Sequence, residues 1–186
     1  MLTLNFSPFP ILTTERLILR APSPDDEQET YVMRTDERVN KYVERPRPAS
    51  VSDARSFIDR LKAGIDKNEW IAWVITLKGD PKLIGSVCLW NIVAEEGRAE
   101  IGFELHPDHQ GKGIMQKAML RAMKYGFEVM QLKVLEGWVH EENIKSIGLM
   151  QRNGFERDHE MEEKMSGKDF FKNMQIYLLF AILSDK

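Results

Sequence analysis

The stretch that decides the fold is Gln110-Gly111-Lys112-Gly113-Ile114-Met115, which follows a predicted strand and opens a predicted helix. Backbone N–H groups at the start of a helix have no partners inside the helix and carry partial positive charge. Gly111 and Gly113 leave the approach to these groups open and tolerate tight backbone angles, and Lys112 would add a cation. The stretch therefore predicts a phosphate-binding loop.

Two other phosphate-binding motifs fit this loop less well. A P-loop needs four residues between its glycines and then Lys and Ser or Thr, whereas only Lys112 separates Gly111 from Gly113. A dinucleotide fingerprint needs a third glycine at the position that Gln116 occupies. For the two glycines alone, an ordinary glycine-rich turn remains an open alternative.

The segments around the loop alternate between strand and helix patterns. The expected order is a strand, helices, three strands, a helix, a strand, a helix and two strands, which predicts an α/β or α+β domain around a mixed sheet. No internal repeat or low-complexity linker interrupts residues 1–186, so one domain is expected. The predicted segments are Ile11–Arg20, Asp25–Met33, Glu37–Val43, Val51–Lys67, Trp70–Thr76, Leu83–Trp90, Arg98–Leu105, Gly113–Met130, Lys133–His140, Ile144–Arg152, Glu156–Met165 and Asn173–Leu183.

Composition narrows the function classes. Hydrophobic residues make up 42% of the 186 residues, which argues against disorder. The 29 acidic and 26 basic residues give a net charge of -3, which argues against a nucleic-acid partner. No apolar run reaches the length of a membrane span, and no signal peptide is expected at the start. The single cysteine, Cys88, lies in an apolar run and is interpreted as a buried thiol in a cytoplasmic protein.

The residues flanking the loop resemble those of a known family. The runs 99–107 and Gln110 to Ile114 resemble the central motif of the GNAT N-acetyltransferase superfamily, which reads Gln or Arg, two residues, Gly, one residue, then Gly or Ala. The runs 139–146 and 151–155 resemble the later strand and helix of the family. The run 12–20 resembles the opening of the Rim-type branch, which acetylates ribosomal-protein N-termini. Met115 departs from the pattern, because the family prefers Gly or Ala there.

This resemblance implies a fold and a donor. The fold is a mixed, mostly antiparallel sheet of about seven strands whose central strands splay apart, flanked by helices. The pantetheine arm of acetyl-coenzyme A, the implied co-substrate, would lie in the gap between the splayed strands. The implied coenzyme A contacts are Phe103, Glu104, Leu105, Gln110, Gly111, Lys112, Gly113, Ile114, Met115, Asn143 and Ser146.

Acetyl transfer to an amine needs a group that removes a proton, and three glutamates are candidates. Glu100 and Glu104 share one face of the predicted strand that leads into the loop. Glu100 is favoured, because it stands where many GNAT enzymes place their base, whereas a solvent-exposed polar face is the alternative for both residues. Glu163, in the predicted strand before the turn at Ser166, matches a glutamate of the Rim-type relatives and is the second candidate.

The leaving thiolate needs a proton donor. Asn143 and Ser146 resemble the Asn-x-x-Ser pattern of the Rim-type branch, in which the serine is the expected donor. Asn143 is also a natural N-cap for the helix that follows it. No cluster of His, Cys or acidic residues has metal-ligand spacing, so no metal site is predicted.

The sequence therefore predicts an N-acetyltransferase that moves acetyl from acetyl-coenzyme A to a primary amine, with a ribosomal-protein-like N-terminus as the first acceptor. A small amine (amino acid, polyamine or antibiotic) is the alternative acceptor. A non-catalytic sensor of acyl-coenzyme A is an alternative from another class. No membrane partner is expected, and a homodimer is left open because the sequence does not reveal the oligomeric state.

Overall fold

One eight-stranded sheet spans the computed structural model, which describes residues 2–181 except the side chain of Phe170. Its strand order is β1-β2-β3-β4-β5-β6-β8-β7, and every neighbouring pair is antiparallel except β5 and β6. The strands are β1 Leu12–Thr13, β2 Leu17–Arg20, β3 Ile71–Leu77, β4 Asp80–Val93, β5 Arg98–Leu105, β6 Val134–His140, β7 Glu156–Arg157 and β8 Met174–Phe180.

Helices cover both faces of the sheet. Their bounds are α1 Glu27–Thr35, α2 Glu37–Asn40, α3 Val51–Asp66, α4 Ile114–Glu128, α5 Ile144–Arg152 and α6 His159–Met165. Ser50 and Asp53 form the predicted capping box of α3. Helix α1 packs on one face through Met33, which clusters with Val74 and Leu83. Helices α4 and α5 pack on the other face and bury a row of methionines in the main core.

The pairing between the two central strands ends early. β5 and β6 are parallel and paired only at Arg98 with Val134, Ala99 with Leu135, and Glu100 with Glu136. Beyond Glu100 each strand remains paired with its outer neighbour, β4 or β8, but no longer with the other central strand. The predicted splay of the central strands is confirmed, and the gap opens at Glu100.

Helix α5 is fixed at the start of this gap by Met150. Its side chain is fully buried, and its Cε lies where a Cβ at Gly137 would stand. Gly137 is the first residue of β6 after the last pair with β5, and its missing side chain leaves room for the end of the Met150 side chain. Met150 thereby packs α5 against β6 at the start of the gap, four residues after Ser146.

The fold prediction was wrong at one element. Residues 156–165 were expected to form a strand, but only Glu156–Arg157 pair with β8, and α6 follows. Asp158 caps α6 by accepting the amide of Met161 at 2.9 Å. The sheet has one more strand than the expected seven, because the opening strand folds into the hairpin of β1 and β2. The predicted end of the last strand, at residues 182 and 183, lies outside the described residues.

Met150→Ala is expected to lower the free energy of unfolding by about 2–5 kcal/mol, because it removes a fully buried side chain and leaves a cavity. Urea denaturation checks this value. The matched control is Met165→Ala, in which a half-buried methionine of α6 is shortened. Equal losses in the two variants would contradict the assigned role of Met150.

Candidate active site

A continuous cleft crosses the sheet where β5 and β6 part. Its walls come from β4, β5 and β6, from the loop before α4, from the start of α5 and from the segment between α1 and α3. The cleft therefore joins the glycine loop to the face of the sheet that carries Glu100. A ligand lying in the gap can reach both.

The glycine loop has the backbone geometry that its sequence predicts. Gly111 and Gly113 have φ angles of +74° and +71°, a region that residues with a side chain rarely adopt. No heavy atom lies within 4 Å of a Cβ built at Gly111, so the approach to the backbone is open. Gly113 is the residue before the first turn of α4, whose amides have no acceptor within the helix. The loop therefore has the open backbone and the helix dipole that a phosphate site requires.

Two cations contact the backbone of the loop, Lys112, which was predicted, and Arg16, which was not. The ammonium of Lys112 donates to the carbonyl of Asp108 at 2.7 Å, so it braces the loop. Arg16, 96 residues away in sequence, donates from Nη2 to the carbonyl of Lys112 at 2.9 Å. The same Nη2 lies 3.9 Å from where a Cβ of Gly113 would stand. Arg16 thus adds a second exposed positive charge beside the glycine loop, next to that of Lys112.

The N-terminus of α5 faces the loop from the opposite side of the gap. Asn143 Oδ1 accepts the backbone N–H of Ser146 at 3.2 Å, so Asn143 caps the helix. Lys145 reaches the loop by donating to Gln110 Oε1 at 3.2 Å. Gln110 in turn donates to the carbonyl of Leu105 at 3.1 Å. These bonds tie α5, the loop and the end of β5 together and leave the Ser146 side chain at the cleft wall.

Glu100 is the last residue of β5 that pairs with β6, and it is half-buried. Desolvation by burial raises the pKa of its carboxyl to about 8, and the nearby Glu136 carboxylate also raises it, while a hydrogen bond with the Asn91 side chain lowers it in part. Glu136 is 1% exposed and receives Arg98 Nη1 at 2.7 Å. Two carboxylates and one guanidinium therefore meet at the apex of the gap.

A β-bulge brings Asn91 to Glu100. β4 and β5 pair at Trp90 with Glu100 and again at Val93 with Arg98, so β4 carries one extra residue between these pairs. Asn91 has a φ of +49°, which asparagine tolerates better than most residues. The bulge turns its side chain to the carboxyl of Glu100 and partly offsets the desolvation of that group.

Glu104 lies on the same face as Glu100 but is engaged by a cation. Its Oε2 is 2.7 Å from Arg45 Nη2, and its Oε1 accepts the hydroxyl of Ser86 at 3.4 Å. A carboxylate held by an arginine is a weaker base than a free one, because the cation stabilises its ionised form. The geometry favours Glu100 over Glu104 for proton removal.

Glu163 lies away from this group. It is exposed on α6, a helix where a strand was expected, and it does not line the cleft in the described part of the chain. Its neighbour Glu162 is the more constrained residue, because it pairs with Arg157 at 2.9 Å and accepts the amide of Ile176 at 2.9 Å. A catalytic role of Glu163 remains a prediction that this position does not favour.

Most of the predicted site residues line one cleft. Apart from Glu163, only Lys112 among them lies outside its walls. The residues that do line it are Glu100, Phe103, Glu104, Leu105, Gln110, Gly111, Gly113, Ile114, Met115, Asn143 and Ser146. Met115, the departure from the motif, is 7% exposed and points into the core, so the phosphate approach stays open.

Sequence reasoning missed Glu136, Arg98, Asn91, Arg16 and Arg45. The sequence could have predicted Glu136, because it is a single acidic residue inside an apolar strand, and such a residue is rarely buried without a partner. Asn91 and the two distant arginines had none, because their roles arise from a bulge and from contacts between remote segments.

Cys88 lies on the cleft wall beneath Gly102. Desolvation raises the pKa of its thiol to about 12, so the thiolate needed of a nucleophile is strongly disfavoured. Among residues 2–181, no three His, Cys, Asp or Glu side chains are grouped to hold a metal ion. None of the helices in this range has the length and apolar character that crossing a bilayer requires.

Comparison with known proteins agrees with this architecture. Residues 16–156 match the family model described as an acetyltransferase (GNAT) domain. An uncharacterised N-acetyltransferase of Bacillus licheniformis is 34% identical over 155 residues, which cover 80% of this chain and 86% of that protein. The spermidine N(1)-acetyltransferase of Escherichia coli is 35% identical over 96 residues, about half of each chain (52% and 49%).

The fold is shared with a solved structure described as a putative ribosomal-protein-serine acetyltransferase from Vibrio cholerae. The TM-score is 0.79 at 20% identity, and the match covers 94% of this chain and 99% of that one. The match to the family model and the identity to the B. licheniformis protein together show that this chain belongs to the GNAT acetyltransferases.

Proposed function

We propose that this acetyltransferase moves an acetyl group from acetyl-coenzyme A to a primary amine held beside Glu100, by direct transfer without an acyl-enzyme intermediate. The observation that carries the proposal is the placement of Glu100. A desolvated carboxyl with a pKa raised to about 8 stands at the point where the central strands part, on the cleft that begins at the glycine loop.

The donor would be held by backbone groups more than by side chains. The amides at the start of α4 would receive the pyrophosphate of coenzyme A, and Arg16 would add a cation beside Gly113. The pantetheine arm would lie in the gap, where the inner edges of β5 and β6 lack a strand partner beyond Glu100. Unpaired backbone groups on such an edge need hydrogen-bond partners, which the amides of the arm supply.

The acceptor amine would enter on the face that carries Glu100 and Glu136. A protonated amine cannot attack a thioester, because its lone pair is occupied by the proton. Glu100 would take this proton directly or through one water. The positive charge of the incoming ammonium would itself lower the pKa of Glu100, so that binding generates the ionised base.

The thiolate that leaves would be protonated from α5. The backbone amide of Ser146 donates to the Asn143 side chain, and Ser146 lines the cleft. Its hydroxyl would donate a proton to the sulfur. The tyrosine that other GNAT enzymes use would stand further along α5. The residue four positions on is Met150, whose side chain is fully buried in the core. Ser146 is therefore the favoured proton donor.

A protein N-terminus is our first acceptor class. The fold shared with a putative ribosomal-protein-serine acetyltransferase supports it. A small amine is the second candidate, favoured by the identity with the spermidine N(1)-acetyltransferase of E. coli over half of the chain.

An acceptor screen with acetyl-coenzyme A and release of free thiol tests the function. Peptides with free N-termini, amino acids, polyamines and aminoglycosides serve as acceptors. Turnover with any primary amine supports the proposal. Binding of acetyl-coenzyme A without turnover of any amine would favour a sensor, which needs no base.

Gly113→Val is expected to raise the Kd of coenzyme A by about 10-fold or more, because the substitution strains a residue at φ +71° and places a side chain over the amides of α4. Titration calorimetry measures the Kd. Gly79→Val is the matched control, since Gly79 has a φ of +87° with open space around it but lies in the turn between β3 and β4. An unchanged Kd in a folded Gly113→Val protein would remove the basis for the phosphate loop.

Ser146→Ala is expected to lower kcat by about 10-fold or more and to leave the Kd of coenzyme A nearly unchanged, because its hydroxyl matters mainly as the thiolate forms. The α5 cap survives the change, since Asn143 accepts the backbone amide at position 146. Steady-state kinetics and calorimetry measure the two quantities. Unaltered turnover across the pH range would mean that water protonates the thiol.

Glu100→Gln is expected to lower the rate by about 100-fold or more and to abolish the acid limb of the pH–rate profile. In the free wild-type enzyme the carboxyl is mostly neutral below its pKa of about 8, so kcat/KM should rise with pH up to this value. Glu104→Gln and Glu163→Gln are the controls, and both should keep the acid limb. A wild-type profile in Glu100→Gln would mean that the amine arrives already neutral.

The stability of Glu100→Gln separates loss of a base from loss of the fold. Since the folded-state pKa of Glu100 lies above its ordinary value of 4.5, the folded protein holds this proton more tightly and its stability falls as pH rises from 4.5 through about 8. Glutamine carries no such charge. Glu100→Gln should therefore have a Tm at pH 8.5 equal to or above that of the wild-type protein, and a lower Tm would contradict the burial argument.

A further inference from the structure

The acceptor side of the cleft carries more positive charge than a polyamine site would tolerate. Four arginines line it, one from the last turn of α1 and three from the segment between α1 and α3: Arg34, Arg38, Arg45 and Arg47. They differ in what they contact: within residues 2–181, Arg34 and Arg47 have no carboxylate within 4.0 Å, and of these two Arg34 is half-buried whereas Arg47 is exposed.

Arg38 and Arg45 are already engaged. Arg38 Nη2 lies 2.6 Å from the carboxylate of Asp36. Arg45 pairs with Glu104 at 2.7 Å and donates from Nε to Asn40 Oδ1 at 2.7 Å. Asn40 is itself buried and donates to three backbone carbonyls, so Arg45 is held in a fixed place.

Arg34 is different. Its guanidinium stacks on the ring of Phe57, with Cζ 3.8 Å from the ring centroid. No carboxylate of residues 2–181 lies within 4.0 Å of it, although it is half-buried. Desolvation lowers the pKa of Arg34, repulsion from Arg45 and Arg60 lowers it further, and only Glu104 raises it. A half-buried cation between two others, with one shared carboxylate, leaves this end of the cleft with a surplus of positive charge.

The two ends of the acceptor side of the cleft therefore carry net charges of opposite sign. Glu100 and Glu136 outnumber Arg98 at the apex once Glu100 is ionised, whereas Arg34 and Arg45 outnumber Glu104 at the other end. Glu100 and Glu104 are four residues apart on one strand, which is roughly 13 Å at about 3.3 Å per residue. An acceptor that matches both ends carries an amine and an anion separated by a distance of this order, about 10–13 Å.

We propose that the acceptor is a peptide N-terminus with a carboxylate side chain near its third residue, and that Arg34 binds this carboxylate. This inference rests on the proposed function and names its acceptor class. An extended peptide advances about 3.3–3.6 Å per residue, so the third residue and its side chain reach about 10 Å from the amine. A free amino acid is too short to contact both ends, and a polyamine would place a second ammonium among the arginines.

The test compares three C-terminally amidated peptides that begin Ser-Ala-Glu, Ser-Ala-Gln and Ser-Ala-Lys, together with spermidine. We expect kcat/KM for the Glu peptide to exceed that for the Gln peptide by about 10-fold or more, the scale of a hydrogen-bonded charge pair, with the Lys peptide lowest. The preference for Glu over Gln should disappear in Arg34→Met, which keeps the packing on Phe57, and should persist in part in Arg34→Lys.

Arg60→Gln is the matched control, because Arg60 also lies near Phe57 but does not line the cleft in the described residues, and it should keep the preference. Calorimetry of the Glu and Gln peptides on the enzyme saturated with coenzyme A gives the same comparison without turnover. Equal values for the three peptides, a preference for Lys or spermidine, or a raised Kd of coenzyme A in Arg34→Met would overturn the inference while leaving an amine acetyltransferase in place. Failure of every amine in the acceptor screen would instead overturn the proposed function.

Discussion

The early end of the pairing between β5 and β6 is the constraint on which the site depends. Two parallel strands in a sheet normally continue their ladder, because an unpaired backbone group in a protein interior is costly. Here the ladder stops after Glu100 and Glu136, while the outer partners β4 and β8 hold both strands in place. The result is a rigid gap with free backbone edges, which a ligand with its own amide groups can fill.

The same constraint explains why acidic residues are tolerated at the apex. Glu100 and Glu136 are opposite each other in the last pair, and Glu136 is almost fully buried. A buried charge is expensive unless it is paired, and Glu136 is paired with Arg98, which also binds the exposed Glu96. Glu100 is left with Asn91 as its neutral partner, so its proton is held until a cation arrives. The structure thus gives two neighbouring carboxylates different surroundings: Glu136 is paired with an arginine, whereas the pKa of Glu100 is raised to about 8.

Local chemistry made most of the fold predictable. The strand pattern over Arg98–Leu105 and the helix over Ile144–Arg152 were predicted with the bounds that the structure has. Residues 156–165 were misinterpreted although they carried helix signals, namely Asp158 as a cap, acidic residues in the first turn and Lys164 in the last.

The site also has one part that the sequence predicts and one part that it does not, for a physical reason. The donor half is built from neighbours in sequence, because a helix start with glycines before it provides its own amides, and a short motif is enough to find it. The proposed acceptor half depends on pairs such as Arg45 with Glu104, which join a loop to a distant strand, so no local sequence pattern predicts it. Because such pairs are side-chain contacts at the cleft wall, they can change without loss of the fold. A relative that matches half of the chain can therefore share the donor site and still accept a different amine.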